Sequence, residues 1–182
     1  MKKFEINTYK WTDNGYAPKA WGELSLKDGL LAVKMTCMEK EPLATVSYGP
    51  DAPVYKDSCM EFFFEVNSCG KYINLEMNSV GGYPCAIRKD RNDRTYITPF
   101  AEGGEPKAAV NDESWSVEAV LSVQKILSYF GENELLTLRG NFYKCGDETE
   151  YPHFGMYNEV LSDTPNFHMI QFFADIDIEE LK

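Results

Sequence analysis

The stretch Leu136–Cys145, LTLRGNFYKC, fixes how the rest of the chain is read. In extended backbone it sends Leu136, Leu138, Gly140 and Phe142 to one face and Thr137, Arg139, Asn141 and Tyr143 to the other. The first set makes a core surface. The second is polar, but it favours a guanidinium, an amide and a phenol over the Lys and Thr of a merely soluble face.

The same division recurs upstream. In Tyr72–Ser79, YINLEMNS, the apolar set Ile73, Leu75 and Met77 alternates with Tyr72, Asn74, Glu76 and Asn78. In Met60–Val66, MEFFFEV, the set Met60, Phe62, Phe64 and Val66 leaves Glu61, Phe63 and Glu65 facing the other way. If these second faces belong to one sheet, Glu61, Glu76, Asn78, Arg139, Asn141 and Tyr143 converge on one polar patch. Half-exposed antiparallel sheets also show such faces simply because they are solvated, and periodicity alone leaves that reading open.

Working outward, short alternating runs bounded by Gly, Pro, Asn or Asp predict strands near residues 22–27, 30–38, 59–67, 71–79, 83–88, 115–122, 134–144 and 169–178, with a further short one at Tyr96–Phe100. Asn67–Gly70 reads as a hairpin turn and Gly81-Gly82 as a sharp bend. Val123, Ile126, Leu127 and Phe130 fall at helical spacing, giving one short helix capped by Ser122 and stopped by Gly131. Lys89–Arg94, KDRNDR, and Ala101–Lys107, AEGGEPK, read as exposed loops. Many short strands with one helical connector and no composition shift predict a single all-β domain over residues 1–182, an antiparallel β-sandwich or flattened barrel.

A net charge of -11, from 18 Lys and Arg against 29 Asp and Glu, argues against nucleic acid or an anionic membrane as partner. The opening MKKFEINTYKWTDNGY lacks the apolar run of a signal peptide, so the expectation is a soluble cytoplasmic protein, or an extracellular one if a leader has been removed. Five scattered cysteines without a CxxC fit reduced thiols. The two histidines, His153 and His168, lack a second ligand at metal-binding spacing, which makes zinc improbable.

Four segments, PVYKDSCMEFFFEV (Pro53–Val66), YINLEMNSVGG (Tyr72–Gly82), LRGNFYKCG (Leu138–Gly146) and TPNFHMIQFF (Thr164–Phe173), resemble the family 9 carbohydrate-binding modules in order and spacing. The likeness runs over roughly residues 20–180. It implies an immunoglobulin-like or DOMON-like sandwich in which two aromatic rings clamp a sugar. It places Tyr55, six residues before Glu61, at one clamp and Tyr157, within HFGMYNE, at the other, both as Tyr where the family's sugar-binding modules carry Trp. A phenol presents less apolar face than an indole but adds a hydroxyl. The polar contacts map onto Glu76 and Asn78, with Glu76 standing where those modules tend to carry Arg. Related modules hold structural calcium, for which no local ligand run can be assigned here.

The expected function is therefore non-catalytic binding of a small saccharide or glycan end between Tyr55 and Tyr157, with Glu61, Glu76, Asn78, Arg139, Asn141 and Tyr143 beneath it. Two alternatives stay open. One is an interaction domain that keeps the fold without sugar binding, in which Arg139 pairs with Glu61 or Glu76. The other is a glycoside-processing enzyme that uses Glu61 and Glu76 as acid and base.

Overall fold

Valine, isoleucine, phenylalanine and tyrosine alternating with polar residues favour pleated backbone, and the Gly, Asn and Asp between the runs favour turns. The computed structural model, which describes residues 1–46 and 52–182, follows that pattern. In chain order its strands are β1 (Lys2–Ile6), β2 (Thr8–Tyr9), β3 (Ala20–Lys27), β4 (Leu30–Cys37), β5 (Cys59–Val66), β6 (Tyr72–Asn78), β7 (Cys85–Arg88), β8 (Arg94–Tyr96), β9 (Lys107–Val110) and β10 (Trp115–Ser122). The helix α1 (Val123–Phe130) follows, then β11 (Leu138–Cys145), β12 (Phe154–Met156) and β13 (Ala174–Ile176).

Among the described residues the strands form two antiparallel sheets, one ordered β1-β3-β4-β10-β9 and the other β2-β12-β11-β5-β6-β7-β8, with β13 pairing the free half of β11. The inner faces meet in a core that includes Leu24, Val33, Met35, Phe62, Phe64, Leu75, Val117, Leu121 and Phe142. Phe142 stacks on Phe62 with ring centroids 4.5 Å apart, and Phe62 on Phe64 at 4.8 Å. At Gly22 the facing sheet comes so close that a Cβ would lie 2.2 Å from Phe142 Cδ1. The all-β sandwich with one helical connector is the architecture expected from the alternation.

The turn chemistry also agrees. The side chain of Ser122 accepts from the Lys125 amide, and Gly131 closes α1 in the left-handed region at φ 76°. Asn67, Ser68 and Gly70 take positive φ between β5 and β6, as a tight hairpin requires. Among the described residues no helix is long and apolar enough to cross a membrane.

Three expectations are corrected. β1, β2, β9 and β12 lack a sequence prediction because they are short, and β1 and β9 are sheet edges with few apolar positions. The expected strand at 169–178 is a 3-10 turn over Ile170–Phe172 followed by the short β13, since Phe173 and its neighbours lie over the sheet. The strand placed at Tyr96–Phe100 lies earlier, at Arg94–Tyr96, while Phe100 makes only an isolated bridge to Leu121.

The largest departure concerns the polar faces. Every residue of β5 and β6 is buried, because loops lie over the outer surface of the second sheet. Val54, Phe63, Tyr72, Tyr143, Met156, Val160, Phe167 and Phe173 form a second apolar cluster there. The outer face is thus covered rather than solvated.

Candidate functional site

Strand register brings the predicted faces together. Tyr143 stands opposite Glu61 and Glu61 opposite Glu76, a row across β11, β5 and β6. The neighbouring rows are Cys145, Cys59 and Asn78 on one side and Asn141, Phe63, Asn74, Ala86 and Tyr96 on the other. Where the covering loops leave the sheet open, a cavity of about 300 Å³ has Glu61 and Glu76 among its lining residues. Pro53 and Tyr55 line it from the turn before β5, Arg88, Arg91, Arg94 and Tyr96 from β7, β8 and their connection, and Phe154 and Pro165–His168 from the last third of the chain. Its volume sits at the small end of ligand pockets.

Tyr55 rides on a 3-10 turn, Val54–Lys56, with 42% of its surface exposed. Its carbonyl accepts from the Asp147 amide at 3.1 Å, and the Lys56 carbonyl from the Glu148 amide at 3.0 Å, so the turn is fastened to the loop after β11. Below it Asp57 accepts from the Thr45 hydroxyl at 2.6 Å, from the Thr45 and Val46 amides at 3.0 Å and from Asn78 Nδ2 at 3.0 Å. Those bonds fix the base of the turn.

The floor is made of carboxyls that burial makes reluctant to ionise. Burial, with Glu76 nearby, holds Glu61 well above the usual carboxylate range, and the Cys145 thiol donates to Glu61 Oε1 at 3.0 Å. Burial raises Glu76 to about 7, against the opposing pull of Arg88, the hydrogen bond from Asn74 Nδ2 at 2.7 Å, and Arg94. Arg88 Nε in turn donates to Asn74 Oδ1 at 2.7 Å, which orders guanidinium, amide and carboxyl in a chain. His168 Nδ1 lies 2.8 Å from the Tyr72 hydroxyl, and burial, with Arg88 and Arg91 nearby, lowers its pKa to about 3. It is a neutral group at physiological pH.

The predicted residues divide into those that line the cavity and those that hold its cover. Tyr55, Glu61 and Glu76 line it. Asn78 instead ties the turn after β6 to the segment before it, accepting from the Gly82 amide at 2.8 Å while donating to Asp57. Asn141 accepts from the Asn158 amide at 2.9 Å and donates to the Asn158 carbonyl at 2.7 Å, securing the chain after β12. Tyr143 stacks on Phe167 with centroids 4.1 Å apart and donates to the Phe167 carbonyl at 3.2 Å. It therefore supports a cavity wall from beneath.

Arg139 pairs with Glu65 at 3.2 Å and Asp175 at 3.3 Å, and donates to the Phe173 carbonyl at 2.9 Å. The expected pairing with Glu61 or Glu76 is corrected: in the sheet Arg139 stands opposite Glu65, four residues along β5 from Glu61. Tyr157 does not line the cavity. Its ring meets Phe4 edge-on at 5.3 Å, because its amide bonds the Phe142 carbonyl and carries the side chain toward β1. The rings that border the cavity with Tyr55 are Tyr96, Phe154, Phe167 and His168.

Sequence reading missed the three arginines and a buried polar bridge. Lys144, fully buried, lies 2.7 Å from His153 Nε2 and 3.3 Å from Glu39 Oε2, and Glu39 also accepts from Trp115 Nε1 at 2.8 Å and the Ser58 hydroxyl at 3.0 Å. The alternation of β11 places Lys144 on the core face, a signal that was present in the sequence.

Among the described residues, Cys59 Sγ, a Glu61 carboxylate oxygen and Cys145 Sγ lie within 4.8 Å of one another, a cluster able to coordinate a metal ion. Two sulfurs and one carboxylate do not fit calcium, which takes six to eight oxygens. Such a set suits a thiophilic ion.

Comparison with known proteins agrees with this architecture. A protein from Bacteroides uniformis proposed to bind carbohydrate shares 23% identity and superposes with a TM-score of 0.80, over 96% of this chain and 84% of that one. A family 9 module from Caldicellulosiruptor kristjanssonii, solved with glucose, shares 12% identity at a TM-score of 0.61, covering 96% of this chain and 82% of its own. The same organism's module with cellotriose gives 11% and 0.59, covering 96% and 80%. No curated protein matches. The model of the family described as carbohydrate-binding family 9 matches residues 1–178, nearly the whole chain, and the chain belongs to that family.

Proposed function

We propose that the cavity beside Tyr55 binds a small saccharide or the end of a glycan without transforming it. The observation that carries this reading is the joining of a half-exposed phenol to a floor of two hydrogen-bonding carboxyls within about 300 Å³, a volume suited to one or two sugar rings. Carboxyls bond sugar hydroxyls, and the apolar face of a ring covers sugar C–H groups. Membership of a carbohydrate-binding family supports the reading, as does the glucose held by a module of the same fold.

Glu61 and Glu76 do not suit glycoside hydrolysis. They are cross-strand neighbours on one floor, both held toward the neutral form, whereas a glycosidase needs carboxyls of opposite protonation flanking the scissile bond. The metal cluster, if it takes an ion, is expected to take zinc or another thiophilic cation in place of the calcium implied by the family resemblance.

Isothermal titration against a panel of mono- and disaccharides tests the proposal. Tyr55→Ala is expected to weaken binding by several-fold to about tenfold, the loss of one ring contact. Tyr157→Ala, outside the cavity, is expected to bind as the parent does. Absence of heat with every sugar, or equal loss in both variants, would overturn the reading.

A further inference from the structure

We propose that Cys59, Cys145 and Glu61 form a zinc site in the floor of the cavity, with its fourth coordination position facing the opening. The site stands independently of sugar binding. Cys59 Sγ, Cys145 Sγ and a Glu61 carboxylate oxygen lie within 4.8 Å of one another, and all three side chains are buried.

Strand pairing brings the set together. Cys145 stands directly opposite Cys59 across β11 and β5, and Glu61 follows Cys59 by two residues, so the three side chains share the outer face of the sheet. β5 is paired on both edges, to β11 and β6, which gives the ligands a rigid base. Around a tetrahedral zinc, sulfur and oxygen ligands stand roughly 3.5–3.8 Å apart, so side-chain shifts of about 1 Å or less close the set on an ion. Little is given up in exchange. A thiol is a weak donor, and Cys59 reaches the Met60 carbonyl at 3.8 Å while Cys145 reaches the Tyr55 carbonyl at 3.7 Å and Glu61 Oε1 at 3.0 Å.

Two sulfurs and a carboxylate make a soft donor set, which selects zinc over calcium or magnesium. Each thiol releases its proton to solvent as its sulfur bonds the ion, and Glu61 joins as a carboxylate. Cys145 and Glu61 line the cavity and Cys59 does not, so the ion enters from the cavity and keeps its open side toward it. Glu61, Glu76 and Asp147 match Arg88, Arg91 and Arg94 in number around that lining, and formal charge does not bar a cation. Three protein ligands with one position open to water or another oxygen donor is the pattern of an exchangeable site, not of a closed structural one.

The test is titration of the reduced full chain, carrying Cys69→Ser to remove the exposed thiol, with cobalt(II) as the spectroscopic probe. One equivalent is expected to give a thiolate-to-metal charge-transfer band and the intense visible bands of a four-coordinate ion, erased by zinc and left standing by a large excess of calcium. Cys59→Ala and Cys145→Ala are each expected to diminish the charge-transfer band and weaken binding by about a hundredfold or more, beyond the loss of an outer-shell partner. Cys37→Ala and Cys85→Ala, at thiols of the inner core, are expected to bind as the parent does. Glu61→Gln keeps the side-chain volume and is expected to weaken binding by about tenfold or more, which decides the matter where an alanine variant does not fold. No charge-transfer band in the parent, its displacement by calcium, an unchanged band in a folded Cys59→Ala or Cys145→Ala, or parent affinity in Glu61→Gln would overturn the site.

Discussion

Glu76 is held by Asn74 and flanked by Arg88 and Arg94, yet burial outweighs both cations and lifts its carboxyl to about 7. Asp147 after β11 adds like charge from the other side, and Glu61 stands opposite on β5. A raised carboxyl binds its proton more tightly in the folded chain than in the unfolded one. The stability it contributes is complete below about pH 4.5 and is lost as pH rises through 7. Glu76→Gln keeps an acceptor for Asn74 and stays uncharged, so between pH 5 and 8 it should escape a loss on the order of 2–3 kcal/mol. Urea midpoints of both proteins at the two pH values check this, and parallel pH dependence would show that Glu76 is not the titrating group. Tyr55, Glu61 and Glu76 were legible because alternation and spacing from a resemblance both pointed at them. Arg91 was not, because KDRNDR has the composition of a solvated loop and only the fold of the hairpin turns it over the sheet, and neither the short alternation that ends at Arg88 nor the segment around His168 marks those residues as facing the same opening.

The paired β-strands explain which parts of the sequence could be read. β5, β6 and β11 are central, so each carries an uninterrupted apolar alternation against its partners. β9 at the sheet edge is mostly exposed, and β12 spans three residues, too few for a period to emerge. β3 brings the two sheets close at Gly22, which lies against the ring of Phe142. Gly22→Ala would drive a methyl into that ring, with a cost of about 1–3 kcal/mol as strands part or the ring leaves its rotamer. Chemical denaturation measures the loss, and an unchanged midpoint would mean that the sheets separate more easily than the packing implies.

The molecule as a whole is a sandwich with loops laid over one outer face, and a buried cation links its two sheets. Lys144 on β11 meets Glu39 after β4, which is itself held by Trp115 on β10. Lys144→Met leaves Glu39 buried without its cation and is expected to destabilise the fold by about 3–5 kcal/mol, read as a lowered urea midpoint. The bond between the Glu148 amide and the Lys56 carbonyl carries a last consequence. Glu148 does not line the cavity, yet its N–H is tied to the turn that presents Tyr55. A ligand that steadies the ring should slow hydrogen exchange at that distant amide, making it a spectator that reports occupancy. Unaltered exchange there at saturating saccharide would mean that the ligand rests elsewhere.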